Sequence, residues 1–209
     1  MFKKQKTLNI PSSKYYDTFD FFLIGDTNIG KTCLLNRYCY DFFSSYKKKK
    51  RKPEIFKIST VNDNQIIKLQ FWDILFTEEN IQSNKKIIDK SDGIIFVCTF
   101  DNKESLKRVI HWYKLLNSST NLNKKGVALF VNKNDLGDEI VVSDDDIRRL
   151  SNELNIDYYS MSAKTGKGVK KAFGEFSQRV ITKVYNNNQN KYMDTMSTGG
   201  KNKENCFII

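Results

Sequence analysis

Apolar positions along the chain follow two spacings, one typical of strands and one typical of helices. Six segments have the apolar runs or the alternation expected of strands: Phe19–Ile24, Ile55–Val61, Ile66–Phe71, Gly93–Thr99, Val127–Val131 and Tyr158–Met161. Asn62-Asp63-Asn64 separates the second segment from the third and predicts a hairpin turn. The run Gly93–Thr99 has no polar face, as expected of a central strand covered on both sides.

Helical spacing appears between and after these strands. Apolar stripes occur at Leu34, Leu35 and Tyr38, at Leu106, Val109, Ile110, Tyr113 and Leu116, and at Val169, Ala172, Phe173, Phe176, Val180 and Val184. Asp101 is the predicted cap of the second of these helices. Ser143 and Asp146 predict a capping box for another helix that ends near Leu154. The alternation predicts an α/β fold, an open, mostly parallel six-stranded sheet with helices on both faces.

The most informative motif lies between the first strand and the first helix. Gly25-Asp26-Thr27-Asn28-Ile29-Gly30-Lys31-Thr32 fits G-x-x-x-x-G-K-[ST], a phosphate-binding loop. In such a loop, backbone N–H groups and the helix N-terminus surround the phosphates. Lys31 reaches the outer phosphates and the Thr32 hydroxyl holds Mg²⁺. The strand before the motif and the helix after it supply the context that the motif requires.

Two further polar segments are expected beside this loop. Asn132 and Ser162 each come just after a predicted strand. Ligands of open α/β sheets bind at the carboxyl ends of the strands. The sequence therefore predicts that three segments far apart in the chain meet at one edge of the sheet.

Charge and cysteine content narrow the class of protein. The formal net charge of +11 favours an anionic partner, and six basic residues are consecutive at Lys47–Lys52. The aromatic–basic pattern of RNA-binding modules is missing, so we expect no nucleic-acid partner. We find no apolar run long enough to span a membrane, no secretory signal and no metal-ligand spacing among the four cysteines. A reducing cytosolic compartment fits these features.

Asn132-Lys133-Asn134-Asp135 and Ser162-Ala163-Lys164 match the guanine-binding motifs N-K-x-D and S-A-K. Together with the phosphate loop, they make residues 17–186 resemble the Ras superfamily of small GTPases, and its Rab family most closely. The resemblance implies a G domain that binds GTP or GDP with Mg²⁺. The nucleotide-binding positions that it implies are Gly25, Asn28, Ile29, Gly30, Lys31, Thr32, Cys33, Phe42, Asn132, Lys133, Asp135, Ser162, Ala163 and Lys164, and the Mg²⁺ positions are Thr32 and Asp73.

The chemistry of these side chains agrees with guanine. The Asp135 carboxylate accepts from both N1–H and the 2-amino group, a donor pair that adenine lacks. Asn132 ties the base loop to the phosphate loop, the stem of Lys133 covers one face of the base, and the Ala163 N–H donates to O6. The family has an aromatic residue on the other face of the base. Phe42 is the candidate for that position, with Phe43 as the alternative.

Two regions depart from the family pattern. No Ser or Thr lies between Tyr46 and Ile58, where the family has a Thr that contacts Mg²⁺ and the third phosphate. After Asp73, Phe76 stands where the family has Gly, and Thr77 stands where it has the Gln that orients the attacking water. The basic run Lys47–Lys52 occupies the place of the missing Thr. Three interpretations of this run stay open: a solvated loop, a substitute ligand for the third phosphate, and a contact for anionic lipid.

These departures make catalysis uncertain. We expect a membrane-anchored regulator of vesicle traffic whose intrinsic GTP hydrolysis is weak or absent. The alternative is a silent scaffold that binds guanine nucleotide, or none, and recruits partners. The base-binding motifs argue against a third possibility, a nucleoside or nucleotide kinase.

The ends of the chain are predicted to lie outside the G domain. Residues 1–16 form an N-terminal extension, and residues 187–209 form a flexible tail because their composition cannot bury a core. The tail ends Cys206-Phe207-Ile208-Ile209, which fits the C-a-a-X prenylation motif. A prenylated Cys206 predicts attachment to the cytoplasmic face of a cellular membrane. One lipid alone gives marginal binding, so a second signal is expected.

Overall fold

The structure, a computed structural model, describes residues 17–45, 54–62 and 65–198. Its strands are β1 (Asp17–Ile24), β2 (Glu54–Asn62), β3 (Gln65–Asp73), β4 (Gly93–Thr99), β5 (Gly126–Asn132) and β6 (Asp157–Ser160). They form one sheet in the order β2-β3-β1-β4-β5-β6. β2 pairs antiparallel with β3, and all the other neighbouring strands are parallel. The predicted α/β sheet is confirmed.

In the part of the chain that the structure describes, five α-helices cover the two faces of the sheet. They are α1 (Lys31–Tyr40), α2 (Ile81–Lys90), α3 (Lys103–Ser119), α4 (Asp144–Leu154) and α5 (Val169–Thr198). α1 and α5 pack on one face, and α2, α3 and α4 contribute to the core on the other face. Within the described residues, no helix is both long enough and apolar enough to cross a membrane.

The sheet has an apolar core on each side because its central strands are buried on both faces. In β1, Phe21 and Leu23 belong to the core under α1 and α5, whereas Phe22 and Ile24 belong to the opposite core. Every residue of β4 is buried. Burial of this kind supplies most of the free energy that stabilises a fold, at about 25 cal/mol per Å² of apolar surface. The sheet is thus a rigid platform for the loops at its carboxyl edge.

The helix caps confirm one prediction and correct another. Ser143 and Asp146 form the predicted capping box, with Asp146 N donating to Ser143 Oγ at 3.1 Å and Ser143 N donating to Asp146 Oδ2 at 3.2 Å. The prediction that Asp101 caps α3 is wrong, because the Asn102 side chain accepts from the N–H groups of the first turn. Asn and Asp are both good caps, and because the two residues are adjacent, the predicted cap was wrong by one residue.

Two helices differ from the sequence prediction. α2 (Ile81–Lys90) was not predicted at all. α5 continues to Thr198, past the boundary predicted at residue 186. Extending an existing helix needs only one further hydrogen bond per residue, and the sequence has no Gly or Pro between Gly174 and Gly199. The rest of the predicted tail, with Cys206, lies outside the described residues.

Candidate nucleotide-binding site

The loop after β1 has the backbone conformation that a phosphate cradle needs. Gly25, Asn28 and Gly30 have φ values of 153°, 63° and 91°. A Cβ on Gly25 would lie 2.4 Å from the Val97 carbonyl oxygen. A Cβ on Gly30 would lie 2.5 Å from Asn132 Nδ2. Both glycines therefore permit a close approach of neighbouring segments as well as an unusual backbone angle.

Lys31 begins α1 and is held inside this loop. Its Nζ donates to the carbonyl oxygens of Gly25 and Asp26, each at 2.5 Å. The side chain of Asp26 is in turn fixed to α3, since Arg108 Nε donates to its Oδ1 at 2.7 Å. The Asp26–Arg108 contact was not predicted, because nothing in the sequence pairs residues 82 positions apart. The ammonium group thus lies in the cradle where phosphate charge is expected.

The two predicted Mg²⁺ ligands are brought together. Thr32 Oγ1, in the first turn of α1, donates to Asp73 Oδ2 at 2.6 Å, and Asp73 at the end of β3 is only 1% exposed. A hydroxyl and a carboxylate are the oxygen ligands that Mg²⁺ prefers, and this ion usually takes its other ligands from phosphates and water. These two residues therefore fit Mg²⁺.

Asn132 joins the phosphate loop to the second base-binding loop. Its Nδ2 donates to the Ile29 carbonyl at 2.9 Å, and its Oδ1 accepts from the Ala163 N–H at 3.0 Å. The side chain is 2% exposed. An unpaired buried polar group costs about 1–3 kcal/mol, so these bonds fix the spacing of the three segments. The predicted convergence at the carboxyl edge is present.

Lys133 has an ion-pair partner that sequence reasoning missed. Its Nζ lies 2.7 Å from Asp101 Oδ2, and its own backbone has a φ of 68°. Burial raises the pKa of Asp101, but the hydrogen bond from Lys133 and further contacts outweigh burial and lower that pKa below its ordinary value. The residue predicted as a helix cap instead holds the head of the lysine whose stem is expected to cover the base.

The S-A-K loop after β6 is held from the α1 side. Arg37 Nε donates to the Ala163 carbonyl and Arg37 Nη2 to the Lys164 carbonyl, both at 2.9 Å. Ser162 is fully buried, and its Oγ accepts from the Thr165 N–H at 3.1 Å. Arg37 was not singled out from the sequence, where it reads as an ordinary polar position of an amphipathic helix. Its contacts fix the backbone of this loop.

The base edge and base face have candidate groups nearby. Asp135 is largely buried, with Lys164 Nζ 3.9 Å from its carboxylate. Phe42, the predicted aromatic partner of the base, is 55% exposed, whereas Phe43 is partly buried against the core beside α1. Cys33 Sγ donates to the Ser44 carbonyl at 3.7 Å. The choice between Phe42 and Phe43 stays a prediction.

The loop between β3 and α2 differs in character from these segments. Ile74 and Phe76 are buried in the core on the α3 side, and Thr77, at the position of the family's Gln, is partly exposed. Residues 46–53, which contain the whole basic run, lie outside the described residues. The uses proposed for Lys47–Lys52 are therefore untested predictions.

The fold and these contacts define a phosphate-loop nucleotide-binding domain. Residues 20–182 match the Ras family. The Ras-related protein RABD2b of Arabidopsis thaliana is 33% identical over 175 residues, covering 82% of this chain and 84% of the relative. The Ras-related protein RIC1 of Oryza sativa subsp. japonica is 34% identical over 182 residues, with coverages of 83% and 88%. The Ras-related protein Rab-13 of Bos taurus is 28% identical over 203 residues, with coverages of 94% and 99%.

These matches span nearly the whole folded region. The chain belongs to the Ras family, and it is a small GTP-binding protein close to the Rab proteins. The recognition made from N-K-x-D, S-A-K and the phosphate loop is confirmed.

Proposed function

We propose that the protein is a lipid-anchored, Rab-like regulator of membrane traffic that binds guanine nucleotide with Mg²⁺ and hydrolyses GTP weakly or not at all. The observation that carries the proposal is the contrast within one site. Asn132 links the phosphate loop to the base loop, while Phe76 and Thr77 replace the groups that act on the third phosphate. The contacts that hold the nucleotide-binding loops are therefore kept, whereas the groups that support hydrolysis are replaced.

Weak hydrolysis follows from what the replaced groups do. Phosphoryl transfer depends almost entirely on positioning and charge stabilisation. The Thr77 side chain is shorter than Gln, and its Oγ1 already accepts from the Asn80 N–H at 3.3 Å. It is therefore poorly placed to orient water beside the third phosphate. Asp73 and Thr32 still provide oxygen ligands for Mg²⁺, so loss of the water-positioning group does not abolish nucleotide binding.

The first test is the identity and fate of the bound nucleotide. We expect freshly purified full-length protein to release guanine nucleotide on denaturation, and bound GTP to persist in a single-turnover assay. Hydrolysis at the intrinsic rate of Ras, about 3–5 × 10⁻⁴ s⁻¹, would contradict weak catalysis. Thr77→Gln is the matched variant, and its hydrolysis rate should rise by about 10-fold at most, because it restores the water-orienting amide while Phe76 still lies in the core.

The second candidate function is a scaffold that recruits partners at a membrane without a nucleotide cycle. Phe76 and Thr77 favour it, because a nucleotide cycle needs groups that respond to the third phosphate and these two residues replace them. Protein purified without any nucleotide, and unable to bind added GDP with Mg²⁺, would select the scaffold over the first proposal.

The lipid anchor is tested separately from the nucleotide site. We expect Cys206→Ser to move the full-length protein from the membrane fraction to the soluble fraction, because a prenyl group contributes about 0.8 kcal/mol per buried CH₂. Asn205→Ser is the matched control, since it changes the adjacent residue and keeps the C-a-a-X motif. Equal membrane recovery of the two variants would refute the anchor.

A further inference from the structure

The loop of residues 74–80 is attached to the core by a side chain that the family pattern lacks. Phe76 is 3% exposed and lies edge-on to Phe22, with ring centroids 6.3 Å apart and an interplanar angle of 61°. Phe22 itself stacks on Trp72, with centroids 5.4 Å apart. The ring of Phe76 is therefore part of the aromatic packing on this side of the sheet, not a surface substituent of the loop.

The backbone of the same loop is closed by one asparagine. Asn80 Oδ1 accepts from the Thr77 N–H at 2.9 Å, and Asn80 Nδ2 donates to the Leu75 carbonyl at 2.8 Å. The Asn80 N–H donates back to the Thr77 carbonyl at 3.2 Å. Leu75 and Thr77, on either side of Phe76, are thus both bonded to the residue that precedes α2. Side-chain bonds of this type stabilise a turn from within.

The loop also adopts ordinary backbone angles. The non-glycine residues with positive φ in the described part of the chain are Asn28, Asp41, Lys133 and Asn155. Phe76 is not among them, so the phenylalanine introduces no backbone strain that a ligand could relieve. An exposed contact, His111 Nε2 to Glu78 Oε1 at 2.9 Å, joins the loop to α3 but adds little, because exposed pairs are weak.

We propose that Phe76 makes loop 74–80 insensitive to the third phosphate: it holds the loop in one conformation, so this loop does not discriminate guanosine triphosphate from diphosphate. A ligand shifts a conformational equilibrium only by its difference in affinity for the two states. To recruit this loop, a third phosphate must withdraw the Phe76 ring from the core and open the Asn80 turn. Any partner that contacts the loop then recognises both nucleotide forms. This inference rests on the proposed guanine-nucleotide site.

The test is amide hydrogen exchange of the full-length protein loaded with Mg²⁺ and either GDP or the non-hydrolysable analogue GppNHp. We expect the Thr77 and Asn80 amides, which donate within the turn, to exchange at the same rate in both forms. In Asn80→Ala, loss of the turn's hydrogen bonds should accelerate exchange at Thr77 by about 10-fold. Phe76→Gly should in addition make the exchange rate of the loop depend on the nucleotide.

Two further variants serve as controls for the role of the buried Phe76 ring. Leu75→Ala truncates the adjacent apolar side chain, which is 46% exposed, and should leave the exchange rates unchanged. Phe76→Leu keeps an apolar anchor, so it should still show equal exchange with GDP and GppNHp even where Phe76→Gly does not fold.

The outcomes separate this inference from the proposed function. Nucleotide occupancy is measured by chromatography before exchange begins, and absence of both nucleotides overturns the proposed function. If both nucleotides bind and the wild-type Thr77 or Asn80 amide is better protected with GppNHp, only the role of Phe76 is overturned. Nucleotide-dependent exchange in Phe76→Leu or in Leu75→Ala, or nucleotide-independent exchange in a folded Phe76→Gly, would also overturn it.

Discussion

The base-binding side of the site and the loop of residues 74–80 are held by different kinds of contact. On the base side, Asn132 and Arg37 donate to backbone groups of segments about 100 residues or more away, which fixes the loops in a shape that fits a base. In loop 74–80, a buried ring and an internal turn fix the backbone, and neither involves a group that binds phosphate. Preorganisation for a ligand and attachment to the core both give rigidity, but only the first is useful for recognition.

A guanine-binding site and a nucleotide switch depend on different segments of the fold. A phosphate loop, N-K-x-D and S-A-K are sufficient to assemble a guanine site. A nucleotide switch also needs a segment whose position depends on the third phosphate. In this chain the segment around Phe76 belongs to the hydrophobic core, and our proposal is that loop 74–80 therefore does not report which nucleotide is bound.

The largest effect is expected on the base side, from Asp135→Asn. The amide offers a donor where the carboxylate accepts from the 2-amino group, so GDP affinity should fall by about 1,000-fold, as expected for two bonds to a charged acceptor. Xanthine carries a carbonyl in place of the 2-amino group, so xanthosine diphosphate should bind the variant better than GDP does. Competition against a fluorescent nucleotide measures both affinities.

Asp138→Asn is the control for that substitution. Asp138 is an exposed carboxylate three residues later in the same loop, and its removal should leave GDP affinity unchanged. If Asp135→Asn retains wild-type affinity for GDP, the assignment of Asp135 to the base is wrong.

The next effect is on stability and tests the link between loops. Asn132→Ala leaves the Ile29 carbonyl and the Ala163 N–H without their buried partner, so the free energy of unfolding should fall by about 2–3 kcal/mol. Urea denaturation of nucleotide-free protein separates this loss from ligand binding. Asn134→Ala, which removes a more exposed bond to Ser160, is the control, and equal losses in the two variants would contradict a special role for Asn132.

The smallest effect is expected for the pair of Asp101 and Lys133. A double-mutant cycle of Asp101→Ala and Lys133→Ala should give a coupling below about 1 kcal/mol, because both side chains are partly exposed. The pKa of Asp101 is lowered in the folded protein, so its contribution is present above the ordinary pKa of a carboxyl group and is lost as pH falls through the lowered value. Asp101→Asn should remove that acid-dependent part.

A coupling energy that does not change between neutral and acidic pH would contradict the ion pair. The measurement is the unfolding free energy of the four proteins of the cycle at both pH values, with nucleotide removed. The GDP affinity of the same proteins is a second measurement. If Asp101→Ala lowers GDP affinity in the wild-type protein but not in the Lys133→Ala variant, Asp101 acts through Lys133.

The sequence predicted the sheet and the binding motifs because both depend on local patterns. Gly25–Thr32 has a fixed spacing, and the strand Gly93–Thr99 is a continuous apolar run whose bounds agree with the structure. The partners of Arg37 and Lys133 were missed because hydrophobic periodicity contains no information on which distant polar groups meet. Phe76 was recognised as a departure at the position of the family's Gly, but nothing in the sequence showed that its ring packs in the core.

The central claim is that guanine binding is retained while loop 74–80 does not respond to the third phosphate. Amide exchange at Thr77, whose N–H donates to Asn80 Oδ1, tests it most directly in full-length protein loaded with Mg²⁺ and either GDP or GppNHp. We predict that both nucleotides bind and that the Thr77 amide exchanges at the same rate in the two forms. A rate that differs between the two forms, or no binding of either nucleotide, would contradict the account.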